Sequence, residues 1–196
     1  MPLALRIHPT ARAEIDPGLI ERTEGLVEAG PGAHVILGRP RNFSQRGRLV
    51  VSAAADSTVD MAARCFFNGL TIRVNAKGAI HIAPDCTFNG AELVAFDGPS
   101  IRIGRDCMFS SEIRATTTDH HVIRDAATGE QINLPSDIVI GDHVWIGRGV
   151  QLLKGAAIGE GSVIGARSLV TGEIAPHSLA LGVPAKVVRS GIVWER

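Results

Sequence analysis

The chain has 196 residues, of which 45% are hydrophobic, enough for one domain or one solenoid whose core needs no disulfide or metal staple. Twenty basic residues balance twenty acidic ones, which removes the electrostatic case for a nucleic acid or an anionic membrane surface as partner. Aromatic residues are only 4% and Tyr is absent, while glycines number 22, a balance that fits a narrow core of Ile, Val, Leu and Ala.

The opening stretch, MPLALRIHPTARAEIDP, has no apolar run long enough for a signal peptide, and no later run approaches a membrane span; a cytoplasmic location is expected. Residues 1–33 carry no repeat and are punctuated by Pro2, Pro9, Pro17 and Pro31. They are expected to form an irregular cap, in which 18–29 reads either as a short helix or as irregular coil. From His34 onward the chain reads as strands and turns. The first β runs are 34–37 and 49–51, with Gly and Arg/Asn/Ser turn material between them.

Three cysteines follow at equal spacing: Cys65, Cys86 and Cys107 are each 21 residues apart. Their surroundings repeat as well, in Cys65-Phe66-Phe67-Asn68-Gly69, Cys86-Thr87-Phe88-Asn89-Gly90 and Cys107-Met108-Phe109. Ile80-His81-Ile82 likewise matches Ile101-Arg102-Ile103. A coil of three hexapeptides has about 18 residues. The longer period predicts about three extra residues per coil at a corner, with the cysteines stacked as an internal ladder of small buried side chains. No CxxC motif or neighbouring Cys/His pair points to a reactive thiol.

The register breaks at about 116–137, TTTDHHVIRDAATGEQINLPSD, a polar excursion with two adjacent histidines. Val122, Ile123, Ile132 and Leu134 give it enough apolar content for an ordered loop, and a long ordered excursion from a solenoid is usually functional. Regular hexads then run from Ile140 to Thr171: Ile140-Gly141, Ile146-Gly147, Leu152-Leu153, Ile158-Gly159, Ile164-Gly165, Val170-Thr171. Four positions after each aliphatic sits a small or β-branched residue, namely Val144, Val150, Ala156, Ser162 and Ser168. This period matches neither a helix nor an ordinary strand, and it is the signature of a parallel β-helix. The fold expected is an all-β hexapeptide-repeat solenoid over 34–190, with one protruding loop and a tail at 191–196 in which Trp194 caps an end.

Residues 106–189 resemble the hexapeptide-repeat acyltransferases, and within them the bacterial sugar and capsular polysaccharide O-acetyltransferases. The resemblance rests on Ile113-Arg114, Thr118-Asp119-His120-His121-Val122-Ile123, Gly129-Glu130-Gln131-Ile132-Asn133, the run from Asp137 through His143-Val144-Trp145-Ile146-Gly147, and Gly182-Val183-Pro184-Ala185-Lys186-Val187-Val188-Arg189. Ile192-Val193-Trp194 is similar to the polysialic-acid O-acetyltransferases of that group. The resemblance implies a left-handed coil, which the spacing alone does not show. It also implies acetyl-CoA as co-substrate without a metal, a carbohydrate acceptor, and a homotrimer with one site at each subunit interface.

Acetyl transfer to a hydroxyl needs a base, and imidazole suits it because its pKa lies near neutrality. The family's Asp-x-His arrangement falls on Asp119-His120-His121, which makes His121 the expected base. Asp119 would orient either the imidazole or a loop backbone group. Trp145 lies between the inward Val144 and Ile146 and so points outward; the resemblance gives it a place in the active site, by its indole N–H or as a wall. Its bland alternative is an interface aromatic. His143 is a candidate for acceptor contact or plain surface. For the coenzyme, Gly147, Ala166 and Thr171 match the family's low-profile positions, Lys186 and Arg189 match its terminal basic pair, and Arg167 and Arg148 are further phosphate partners. One departure is Gly172, where many relatives have Lys. No Ser-His-Asp elbow, Cys nucleophile or nucleotide-binding glycine motif appears, so direct attack in a ternary complex is expected. Three rivals stay open: N-acetylation of a nucleotide-linked amino sugar, a γ-carbonic-anhydrase type of zinc enzyme using His81, His120, His121 and His143, and a non-catalytic scaffold.

Overall fold

A computed structural model describes residues 2–41, 47–75 and 77–196. The turn expected between the first two β runs lies partly outside the described residues, at 42–46. The chain winds through three parallel sheets in turn, forming an all-β, left-handed parallel β-helix. Among the described residues sheet A stacks eight strands, including Gly47–Ala53, Gly69–Val74, Ala91–Ala95, Ile113–Thr116, Gln151–Leu152 and Leu169–Val170. Sheet B also stacks eight, including Thr58–Met61, Ala79–Ile82, Ser100–Ile103, Ile138–Ile140 and Ala157–Ile158. Sheet C runs through Phe66–Phe67, Thr87–Phe88, Met108–Phe109, Trp145–Ile146, Val163–Ile164 and Ser178–Gly182, and ends on the antiparallel strand Ala185–Ser190. Among the described residues no helix is long and apolar enough to cross a membrane.

Columns of identical environment fill the interior. Cys65, Cys86, Cys107, Val144, Ser162 and Ser178 form one, all fully buried or nearly so. Phe67, Phe88, Phe109, Ile146, Ile164 and Ala180 form the next, with the Phe88 and Phe109 rings stacked 4.7 Å apart. The cysteine ladder is therefore as expected. Each thiol also donates to a carbonyl of the following coil: Cys65 to Ala83 (3.5 Å), Cys86 to Gly104 (3.1 Å) and Cys107 to Gly141 (3.2 Å).

The surplus of the 21-residue coils is confined to one corner. Ten positions separate inward Leu93 from inward Ile103, against six between Leu152 and Ile158. The step from sheet C to sheet A is slightly shorter, five positions from Phe88 to Leu93 against six from Ile146 to Leu152. The long loop leaves from this same A-to-B corner, between Ile113–Thr116 and Ile138–Ile140.

Residues 2–33 hold regular strands and a helix. Ala4–Ile7 pairs in parallel with Thr23–Ala29, and Arg12–Ile15 pairs with His34–Leu37, so the coil begins here. The helix Pro17–Arg22 stands where the third side of that coil would run. Asp16 caps it by accepting from the Gly18 N–H (2.8 Å), Pro17 suits its first turn, and Leu19 is fully buried in the core. The ambiguous stretch 18–29 thus holds a helix followed by a strand. Trp194 does not cap an end of the coil; it lies against the His143 corner beside sheet C.

Candidate active site

The loop after Thr116 is held together by one buried amide. Asn133 accepts from the Ile123 N–H (2.7 Å) and donates to the His121 carbonyl (2.8 Å) and to Asp119 Oδ2 (2.9 Å). An Ile132 N–H to Ile123 carbonyl bond and the Arg124–Gln131 bridge close the hairpin-like tip. At the root, buried Thr117 exchanges hydrogen bonds with Phe96 through its hydroxyl, and its carbonyl accepts from the Ser136 N–H. Lys154 on the next coil reaches Asp119 Oδ2 at 2.6 Å. That ammonium, together with the Asn133 amide, holds the Asp119 carboxyl below the usual carboxylate range.

The two histidines diverge. His120 sits at φ +64, its N–H bonded to the Thr118 hydroxyl and its ring edge-on to Phe96. It lines a hollow of about 320 Å³ on the outer face of sheet A with Arg114, Thr116, Gln151 and Leu153. His121 is exposed; its carbonyl is fixed by Asn133, and its imidazole meets no hydrogen-bond partner among the described residues. Of the two roles the sequence left open to Asp119, the contacts place it on the loop backbone, through Asn133.

Trp145 faces outward from sheet C, 39% exposed, between fully buried Val144 and Ile146. A single subunit does not bring it to His121, because the loop leaves from the A-to-B corner. Trp145 instead lines a separate hollow of about 500 Å³ with Val163, Arg189, Ile192, Val193 and Trp194.

The expected coenzyme residues are distributed along two corners. Gly147 and Ala166 stack at the C-to-A corner. A Cβ on Gly147 would lie 2.8 Å from the Ala166 nitrogen and the Ile164 oxygen, so the coil spacing itself excludes a side chain there. Arg148 and Arg167 follow on this corner, joined by the Arg167 N–H to the Arg148 carbonyl (2.8 Å). Arg148 is committed to Glu112, whose carboxyl it holds below the usual range. The terminal basic pair splits: Lys186 shares a hollow of about 310 Å³ with Thr171 and Glu173, while Arg189 lines the Trp145 hollow.

His143 is neither a free surface residue nor a member of a histidine cluster. It is half-buried, with Asp106 on one ring nitrogen and Trp194 stacked on its face. His81 faces Asp60 on sheet B. Among the described residues no three His, Cys, Asp or Glu side chains converge to hold a metal within one subunit. Sequence reasoning assigned no role to Asn133 or Lys154 in the loop, and none to Asp106. All three act across long chain separations that no local spacing reveals.

Residues 137–172 match the family described as bacterial transferase hexapeptide (six repeats). The polysialic acid O-acetyltransferase of Escherichia coli O1:K1 / APEC is 39% identical over 79 residues, 40% of this chain and 26% of that protein. The galactoside O-acetyltransferase of Escherichia coli (strain K12) is 43% identical over 70 residues, 36% of this chain and 32% of that protein. The chain thus spans about a quarter to a third of these curated relatives. Among solved structures, the polysialic acid O-acetyltransferase OatWY superposes with a TM-score of 0.71 at 26% identity, over 100% of this chain and 89% of that one. The polySia specific acetyltransferase NeuO shares the fold, with a TM-score of 0.67 at 21% identity and the same coverage.

Proposed function

We propose that this chain is a hexapeptide-repeat acyltransferase that moves an acetyl group from acetyl-CoA to a sugar hydroxyl of a capsular or other cell-surface polysaccharide, a reading supported by the hexapeptide match at 137–172 and by its likeness to polysialic acid O-acetyltransferases. The observation that carries this reading is the clamped loop. Its backbone is fixed by Asn133 and Lys154, while the His121 imidazole has no hydrogen-bond partner among the described residues. A base that is held in place but unsatisfied is what proton abstraction from an incoming hydroxyl requires.

In this reading His121 accepts the hydroxyl proton as the sugar oxygen attacks the thioester carbonyl. The tetrahedral intermediate collapses with loss of the thiolate, which takes the same proton from His121. A positioned base contributes about 10²–10⁴-fold to such a step. The oxyanion is met by an N–H donor, for which the indole of Trp145 is the candidate. Because Trp145 and His121 lie on different faces of one subunit, the site is completed between subunits of a homotrimer, Trp145 coming from the neighbour. Exposed Arg167, Lys186 and Arg189 meet the coenzyme phosphates, and the flat Gly147–Ala166 corner passes the pantetheine arm.

The test is thiol release from acetyl-CoA by purified protein, offered sialylated capsular polymers, neutral glycans and nucleotide-linked amino sugars. Release with a polymer that is abolished by His121→Ala and retained by His120→Ala supports the reading. Loss with His120→Ala alone would move the base to the imidazole in the sheet A hollow. Release with the amino sugars alone would change the acceptor to an amine. A fully active monomer by light scattering would remove the interface site.

A further inference from the structure

The segment 192–196 folds back over the corner between sheets B and C. Trp194 stacks face to face on His143, ring centroids 4.0 Å apart and planes 8° apart, and its indole N–H donates to the His143 carbonyl (2.9 Å). Arg196 donates to Asp106 Oδ1 (2.8 Å) and to the carbonyl oxygens of Asp85, Asp106 and Cys107. Trp194 is only 8% exposed, although it lies outside the coil.

The imidazole beneath it has an unusual pair of partners. His143 Nδ1 is 2.7 Å from Asp106 Oδ2, and Nε2 is 3.1 Å from the Trp194 carbonyl oxygen. A carboxylate and a carbonyl are both acceptors. A neutral imidazole has one N–H and satisfies one of them; the imidazolium satisfies both. The ring cannot turn away cheaply, because the His143 backbone is fixed at φ +52 with its N–H on the Arg105 carbonyl (2.7 Å). The other charged groups about this corner are already engaged or directed elsewhere. Arg196 shares Asp106, Asp142 accepts from the Arg105 N–H, and Asp85 is held by Arg64 and Arg41. Glu195 is exposed, and His177 lies one coil on, against Gly161.

We infer that 192–196 is a strap closed on His143, and that His143 and Trp194 are positioning residues for the cleft of Trp145. Trp194 stands 6.0 Å from Trp145, ring to ring, and with Ile192 and Val193 supplies one wall of the hollow that Trp145 and Arg189 share. Removing the imidazole removes both ring contacts and the stack that hold the strap to the coil, and frees the wall. The inference rests on the reading of Trp145 as an active-site residue, but the strap itself is testable without any substrate.

Trp145 and Trp194 are the two tryptophans of the chain, and there is no Tyr. Trp145→Phe therefore leaves Trp194 as a single reporter. Its emission is expected to be blue-shifted and shielded from acrylamide. In the double variant that adds His143→Ala it should turn red and accessible, with the far-ultraviolet circular dichroism of the coil unchanged. Acrylamide accessibility of Trp194 that is the same with and without His143→Ala would overturn the strap. In the transfer assay, Trp194→Ala is expected to raise the acceptor KM about tenfold with the acetyl-CoA KM unchanged, and Trp194→Phe to restore it, as for a lost aromatic contact. Equal loss in both KM values would overturn the positioning role. Failure of transfer with every acceptor would strike the proposed function and leave the fluorescence result standing.

Discussion

Lys154 donates to Asp119 at 2.6 Å and so ties the root of the histidine loop to the corner of the neighbouring coil. This bond runs between a loop with no repeat and a residue of the most regular part of the solenoid. Substituting Lys154→Met keeps the stem and removes the charge. The expected result is a fall in kcat of about 10²-fold from a misplaced base. The melting temperature should move only by about 1–4 °C, because a partly exposed pair contributes about 0.2–1 kcal/mol. Steady-state kinetics beside a thermal melt check this; loss of stability in step with activity would contradict it.

Acid should release the loop before the coil. The carboxylate form of Asp119 accepts from Lys154 and Asn133, and its folded-state pKa lies below the unfolded value of about 3.9. The contribution is therefore fully present above about pH 4 and is lost as pH falls through the lowered folded value. Pepsin cleavage confined to 119–133 is expected to appear only in that acid range. Asp119→Asn should make the loop cleavable at every pH at which pepsin works.

The three cysteines should be silent in the native protein. Neighbouring thiols and burial push Cys65 and Cys86 well above the ordinary thiol range, and all three side chains are fully buried. A disulfide reagent at pH 8 is expected to count no thiol in the native chain and three in guanidinium. A fast-reacting native thiol would mean that the column opens locally.

Gly147→Ala separates a ligand-facing glycine from a packing one. The added Cβ meets backbone atoms at 2.8 Å, which flexible side chains cannot relieve. The substitution is expected to cost about 1–3 kcal/mol, read in a denaturant melt, as other overpacking changes do. Whatever variant folds should show a raised KM for acetyl-CoA, because the methyl stands on the corner along which the pantetheine arm is proposed to pass; an unchanged KM would make Gly147 a packing glycine only.

Phe88→Ala tests the core. Phe88 is fully buried and stacks on Phe109, so about 3–5 kcal/mol should be lost on truncation. Cys86→Ala, one column away, should cost far less.

The regular half of this fold is legible in its sequence because one inward aliphatic per six positions maps directly onto the coil's cross-section. Trp145 could be placed outward from its neighbours Val144 and Ile146 alone. The first coil was not legible. Its strands are four residues long, their outward positions carry the ion pairs Arg6–Glu28 and Arg12–Glu14, and a helix replaces the third side. The histidine loop could be recognised by composition and resemblance, but its clamp could not. Asn133 acts on His121 twelve residues away, and Trp194 on His143 fifty-one away, where no periodic frame connects them.

The 21-residue coils carry their surplus at the A-to-B corner, and the histidine loop is the largest instance of the same irregularity there. The columns at Ala115 and Ile140 resume their register across it without displacement. That corner is therefore a place where chain length can drift while the rest of the barrel keeps count. Loops of other lengths grafted there should leave the columns intact. A single residue inserted between Ile140 and Ile146 would instead turn the inward side chains of that face to solvent at one stroke.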